Sequence, residues 1–403
     1  MAAQRNIAVL ALLGVIAVGI AAFFARGGVD GGGLKYFAGA LVGGLAGFAL
    51  YHAAFGFTGA WRRMTREKRG RGLRAQMLLI GVTCAVTYLM IGYGQEAGLG
   101  RMYPVVIGMG LSSAFGALIF GIGMQLGGGC ASGTLFTAGG GSTRMVIVLV
   151  FFVLGSVLGT AHMTEFWLQL PIITGIPNIP GTSIIRAFGP IGAIAAILGF
   201  CAAVVVLSRV IERRHHGDVE DVPHTQSLLR GRWSLWAGAL ALAAVSVLCF
   251  LIFSRPWGVT SAFALWGAKI FQGVGIDVSQ WGYWQGWRQG PLNNSVFADR
   301  TSVMNFGILF GAFAAAALAG KFRPTLRLSG TDILTAVIGG LLMGYGARLA
   351  YGCNIGAFLG GIVSGSMHGF WWLLWGFLGS LIGIRLRALL SMDPPLPARP
   401  APA

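Results

Sequence analysis

The chain has 403 residues and a formal net charge of +17, yet only 10% of its residues are charged and 55% are hydrophobic. A soluble domain carries about 25% charged residues, so this chain has too little polar surface to cover itself in water. With a mean hydropathy of +0.74, the composition excludes a soluble globular domain and implies a polytopic membrane protein.

Apolar runs of bilayer length recur in chain order at 7–25, 35–58, 74–93, 103–126, 144–162, 184–208, 233–253, 301–320, 331–350 and 369–390. The first follows Arg5 and starts like a signal peptide. It lacks a clear small-x-small cleavage site before the next apolar run, so it reads as a retained helix. Three more apolar stretches, 127–142, 258–272 and 353–367, are too short or too glycine-rich to span and read as re-entrant. Non-helical backbone survives at membrane depth only inside protein or beside a water-filled cavity, because lipid cannot pair its N–H and C=O groups. The expected fold is all-α, a transmembrane helical bundle with re-entrant half-helices.

The positive charge is gathered in four places: 61–76, 209–232, Lys321 with Arg323 and Arg327, and the C-terminal Arg385 and Arg387. The positive-inside rule assigns all four to the cytoplasm, where they also meet anionic lipid of the bilayer. Nucleic acid is not an expected partner, since the arginines flank spans rather than forming a stripe. The expected organisation is an N-terminal transmembrane repeat over 1–208, a linker over 209–232, a C-terminal repeat over 233–391 and a Pro-rich tail over 392–403.

One motif is written twice. GIGMQLGGGCASGTL at 121–135 and GYGARLAYGCNIGAF at 344–358 align without a gap as G-x-G-x-x-L-x-x-G-C-x-x-G. This reads as internal duplication, with Cys130 and Cys353 at the same point of each half. Counting spans from the basic loops, the Cys130 motif enters from the cytoplasmic side and the Cys353 motif from the periplasmic side. Copies facing opposite ways describe an inverted repeat, a build that places substrate near the bilayer midplane.

Of the five cysteines, Cys84, Cys201 and Cys249 stand alone in apolar spans and read as small hydrophobes. Cys130 and Cys353 lie instead among Gly129, Ser132, Gly133, Gly352, Asn354 and Gly356. Glycines let backbone N–H groups approach a ligand, and a thiol adds a weak donor and polarizable sulfur. The set suits a large, soft anion held loosely. A disulfide between the two is disfavoured by their opposite entry. No C-x-x-C or histidine cluster supplies a metal site, no cofactor is implied, and His52, His162 and His368 have no registered Asp partner for thiol catalysis. Arg348, five positions before Cys353, is a candidate to draw the anion in, with carbonyl capping as the other reading. Arg144 reads as a cytoplasmic-end anchor. His368 is open between an interfacial hydrogen-bonder and a ligand. Trp281, Tyr283, Trp284 and Trp287 read as an interfacial belt, and Asn293 and Asn294 there have no decipherable role.

GGGCASGTL at 127–135, GYGARLAYGCNIGAFLGGIVSGSMHGFWW at 344–372 and GFALYHAAFGFTGAWRR at 47–63 resemble the signature regions of the YeeE/YedE family of bacterial membrane proteins. The resemblance implies inner-membrane transport of thiosulfate, or a related sulfur-containing anion, along an hourglass path whose cysteine thiols hydrogen-bond the passing ion. Cys130 and Cys353 match two of that family's three cysteines; Gly56 stands where the third is usual. Loss of that thiol leaves sulfite, sulfide, a polysulfide or a selenium compound open as cargo. A small cytosolic sulfur-carrier protein is a further expected partner. The alternative is a membrane sulfurtransferase that forms a cysteine persulfide. The spans hold almost no carboxylates beyond Asp332 and Glu165 at their ends, which favours facilitated diffusion over proton coupling.

Overall fold

A computed structural model describes residues 2–220, 227–324 and 326–393; residues 394–403 of the expected tail lie outside it. Helices follow in the order α1 (Ala2–Ala25), α2 (Gly33–Ala53), α3 (Phe57–Glu67), α4 (Arg71–Tyr93), α5 (Leu111–Gly127), α6 (Ala131–Gly139) and α7 (Thr143–Met163). Then come the short α8 (Leu170–Thr174), α9 (Ile184–His216), α10 (Leu235–Phe253), α11 (Thr260–Gly273), the short α12 (Gln289–Asn293), α13 (Arg300–Leu318) and α14 (Gly330–Leu349). The turn Asn354–Leu359, wound more loosely than an α-helix, runs into α15 (Gly360–Val363), and α16 (Met367–Leu389) is the last helix of the described residues. Ten helical segments among the described residues are long and apolar enough to cross a membrane, so this is a multi-pass membrane protein.

Local chemistry sets the helix boundaries. Side chains of Ser142, Ser183, Ser234, Asp299 and Ser329 each accept a backbone N–H of the first turn of α7, α9, α10, α13 and α14. The expected span 103–126 is helical only from Leu111: Pro104, Gly108 and Gly110 keep the preceding stretch extended, and Met109 bridges Ile179. The expected span 35–58 breaks at Ala54, which adopts a left-handed conformation, and the basic stretch after it is the helix α3. Beyond 208, α9 continues to His216, so the first part of the expected linker is helical.

Hydrogen bonds between elements sort the helix ends onto two faces. At one face Arg144 of α7 donates to Thr335 of α14 (2.9 Å), Arg387 of α16 to the Gln125 carbonyl of α5 (2.7 Å), and Trp233 N to the His52 carbonyl of α2 (3.0 Å). All four basic clusters gather there. At the other face Trp371 of α16 donates to Ser113 of α5 (3.2 Å), His162 of α7 meets Tyr345 of α14 (3.0 Å), and Ile184 N bonds the Gly365 carbonyl (2.8 Å). The interrupted segments divide accordingly. Both α3 and α6 hang from the basic face, whereas α11 and the 354–363 helix hang from the opposite one.

Glycine lets the helices touch backbone to backbone, as small residues do at membrane helix crossings. A Cβ on Gly43 or Gly47 of α2 would fall on the carbonyls of Met304 or Ile308 of α13. The repeated G-x-G serves the same end. Gly121 abuts α16 at Gly376 and Ser380, and Gly123 abuts α14 at Gly339 and Met343. In the second copy Gly344 abuts α7 at Phe152 and Ser156, and Gly346 abuts α5 at Gly116. These four motif glycines are packing residues.

A buried carboxylate ties the basic face together. Glu212 of α9 is fully buried and accepts from Arg74, from Arg69 (3.2 Å), and from the backbone N–H groups of Gly70 (3.3 Å) and Glu220 (3.0 Å). Removing one partner of a buried ion pair strands the other, at a cost of about 3–5 kcal/mol. Glu212→Ala is therefore expected to lower the thermal unfolding midpoint in detergent far more than Glu96→Ala on the surface. Equal midpoints would show that the α4–α9 junction does not depend on this charge.

Candidate functional site

Cys130 sits at the start of α6, in extended backbone that follows the left-handed Gly128 (φ 89°). Its carbonyl accepts from the backbone N (2.7 Å) and hydroxyl (2.9 Å) of Thr134, and its thiol lies 3.4 Å from the Ser132 hydroxyl. Cys353 has the same place at the start of the 354–359 turn, its carbonyl accepting from Ala357 N (2.8 Å) and Phe358 N (3.2 Å). Gly352 before it has φ 151°, a conformation that needs glycine, and its carbonyl accepts from the Trp372 indole (3.2 Å). Both cysteines are buried and their short helices touch. All five cysteines are free thiols.

Each cysteine turn is braced from behind. The α5 carbonyls that precede Cys130 are capped by two guanidiniums, Arg387 on Gln125 and Arg144 on Leu126 (2.8 Å) and Gly127 (2.6 Å). These cations offset the negative end of α5 beside the Cys130 turn. Behind Cys353, Thr87 and Tyr88 of α4 donate to the carbonyls of Val363 (2.9 Å) and Ile362 (2.7 Å). Gln125 joins α3 to α16, donating to the Thr58 carbonyl (3.2 Å) and the Ser380 hydroxyl (2.8 Å).

A cavity of about 850 Å³ opens at the basic face and reaches Gly56, Gly59, Gly128, Gly129, Cys130 and Gly133. Its walls carry Arg62, Arg230, Arg232 and Lys321, together with Arg63 and Arg71, which pair with Glu220 behind the wall; no carboxylate is among the described lining residues. A cleft lined by one sign of charge concentrates ions of the other. Charges that read from sequence as topology signals therefore also line a cavity. The sequence signal for this was the placement of arginines immediately after the Gly56 turn.

The expected site residues divide between two places. Gly129, Ser132 and Gly133 surround Cys130, with Gly56 across the cavity. A Cβ on Gly56 would meet nothing within 4 Å. Gly352, Asn354 and Gly356 surround Cys353. Asn354 is fully buried, and neither its oxygen nor its nitrogen has a partner among the described residues. Arg348 lies elsewhere: its stem packs on Gly159 of α7 and its guanidinium bonds the Tyr283 hydroxyl (3.3 Å). Helical spacing explains this, since Tyr351, left-handed at φ 61°, turns the chain between Arg348 and Cys353. Cys84 is buried in α4, which packs on α9, and Cys249 faces Met304 (3.8 Å); neither lines the basic cavity. Trp284 departs from the expected belt; it is buried and donates to Thr160 (3.2 Å), whereas Trp287 is exposed.

A multi-pass bundle with interrupted helices in its interior and a cationic cavity at one end has the architecture of a membrane transporter. The chain belongs to the family described as Sulphur transport, whose model matches residues 52–382. It is 36% identical over 157 residues to the "Probable transporter YedE" of Salmonella typhimurium, covering 38% of each chain. It is 29% identical over 327 residues to the "Thiosulfate transporter TsuA" of Spirochaeta thermophila, covering 80% of this chain and 90% of that one. The Escherichia coli protein of the same description is 26% identical over 333 residues, covering 79% and 85%. The YedE relatives are thus matched over well under half of their length, and the TsuA relatives over most of theirs.

Proposed function

We propose that this chain carries thiosulfate or a related sulfur-containing anion across the bacterial inner membrane, with Cys130 and Cys353 as successive stations of one path. The observation that carries the reading is the pairing of two buried thiols on short helices from opposite faces, one of them opening into a cation-lined cavity. A soft anion passes between such donors without the dehydration cost that apolar walls would impose. The basic face is the cytoplasmic one by the positive-inside rule.

The element order supports an inverted repeat in which α1–α7 correspond to α9–α11, α13, α14, the 354–363 helix and α16. Equivalent pairs pack alike: α1 on α13 as α9 on α4, and α5 on α16 as α14 on α7. The boundary then falls in 164–183, before α9, rather than in the linker at 209–232.

Liposomes holding the purified protein test the function. Thiosulfate should enter down its gradient with or without a pH difference, and sulfate should not compete. No flux of any sulfur anion would overturn transport. A turnover-linked persulfide on Cys130, found by mass spectrometry, would instead mark a sulfurtransferase serving a cytosolic carrier.

A further inference from the structure

The segment Trp257–Phe263, WGVTSAF, repeats the order of Phe55–Trp61, FGFTGAW: aromatic, glycine, apolar, threonine, small, alanine, aromatic. Both segments start a half-helix, α3 from the basic face and α11 from the opposite one. Their exposure also matches, with a part-exposed glycine between buried neighbours in each. A Cβ on Gly258, like one on Gly56, would meet nothing within 4 Å.

The Gly258 turn lies against the Cys353 helix. A Cβ on Gly356 would lie 3.9 Å from the Gly258 Cα, and one on Gly360 would lie 3.7 Å from the Trp257 carbonyl. Asn305 of α13 fixes the turn by donating to the Val259 carbonyl (2.9 Å). These two segments carry two orphaned donors: Trp257 is 3% exposed and Asn354 0% exposed, and neither the indole N–H nor the amide has a partner among the described residues. Buried donors of native proteins are nearly always paired, so a site with two unpaired ones fits a binding place for an acceptor. Beside this turn, exposed Arg255 stands 5.4 Å and Arg101 5.8 Å from the Tyr103 ring.

We propose that the Arg255–Gly258 turn and the Cys353 helix form an oxyanion subsite at the end of the path opposite the basic cavity, with Trp257 Nε1–H and the Asn354 amide as donors. Its cargo assignment rests on the transport reading above; its geometry does not. Gly258 is the counterpart of Gly56, so each entrance pairs one glycine turn with one cysteine turn.

Two measurements test this. The first compares Gly258→Cys with Gly199→Cys, a lipid-exposed position that also has room for a side chain. Against the parent protein as blank, Gly258→Cys should react at least about tenfold faster with an anionic methanethiosulfonate than Gly199→Cys, and faster than with the trimethylammonium analogue. Equal rates would overturn the subsite. The second is Trp257→Phe, which keeps the ring and removes the donor. It should raise KM for thiosulfate flux about tenfold and leave the maximal rate within about twofold. An unchanged KM would remove Trp257 from the site. If the parent protein moves no sulfur anion but Gly258→Cys still prefers the anionic reagent, the subsite stands and the cargo assignment falls.

Discussion

Cys130→Ala and Cys353→Ala are each expected to cut thiosulfate uptake about tenfold or more, while Cys84→Ala leaves it within about twofold of the parent. The contrast follows from position. Cys130 and Cys353 cap the two short helices that touch in the interior, whereas Cys84 is buried within α4 and does not line the basic cavity. Removing a thiol at a station takes away a donor that the desolvated anion needs, and one lost hydrogen bond to a charged group is worth about 1.5–3 kcal/mol. Serine is the informative control. Cys130→Ser keeps a donor of similar size and should recover part of the flux, separating hydrogen bonding from sulfur chemistry. Uptake in a strain that depends on thiosulfate as its sulfur source reads all four variants. Equal growth for the parent and both alanine variants would remove the cysteines from the path.

Gly56 extends this test. A side chain there meets nothing within 4 Å, and its extended backbone (φ −158°) suits any residue. Gly56→Cys is therefore expected to fold as the parent does, with a thiol that reacts with a water-soluble maleimide through the basic cavity. Gly56 is thus an open position of the cavity wall, not a position filled by packing.

Gly344→Ala is expected to destabilise the protein by about 1–3 kcal/mol or more, although it adds only one methyl group. The new Cβ would lie on the Phe152 carbonyl and 2.6 Å from Ser156 N, with backbone on both sides. Backbone cannot swing aside as a side chain can, so α14 and α7 would have to part. Gly346→Ala should behave alike, since its Cβ would lie 2.9 Å from Phe120 N of α5. Gly356→Ala is the counter-case. Its nearest new neighbour is 3.9 Å away, so the fold should keep its unfolding midpoint while flux through the narrowed path falls. A thermal shift of the same size in Gly344→Ala and Gly356→Ala would contradict this division of the motif's glycines.

Much of the architecture was legible in the sequence, because a bilayer imposes a length and a polarity on every crossing segment. The ten spans, the re-entrant nature of the cysteine segments and the family resemblance all follow from apolar run lengths and motif spacing. The helix α3 was not legible as a separate element. Its break depends on the left-handed Ala54, a conformation that no alanine announces. The surroundings of Arg348 were not legible for a related reason: the left-handed Tyr351 turns the chain between it and Cys353, and its guanidinium meets Tyr283.

The sequence by itself determined that this chain lives in a membrane, that its cysteine motif is duplicated and which glycines accompany each copy. Those properties are carried by composition and order, which solvent and backbone chemistry read locally. Only the tertiary structure decided which motif glycines hold helices together and which border open space, and which arginines line a cavity. It alone set the Gly258 turn against the Cys353 helix. These are properties of what stands opposite a residue, and in a bundle of crossing helices the opposite partner comes from more than a hundred residues away along the chain for Gly123, Gly344 and Gly346.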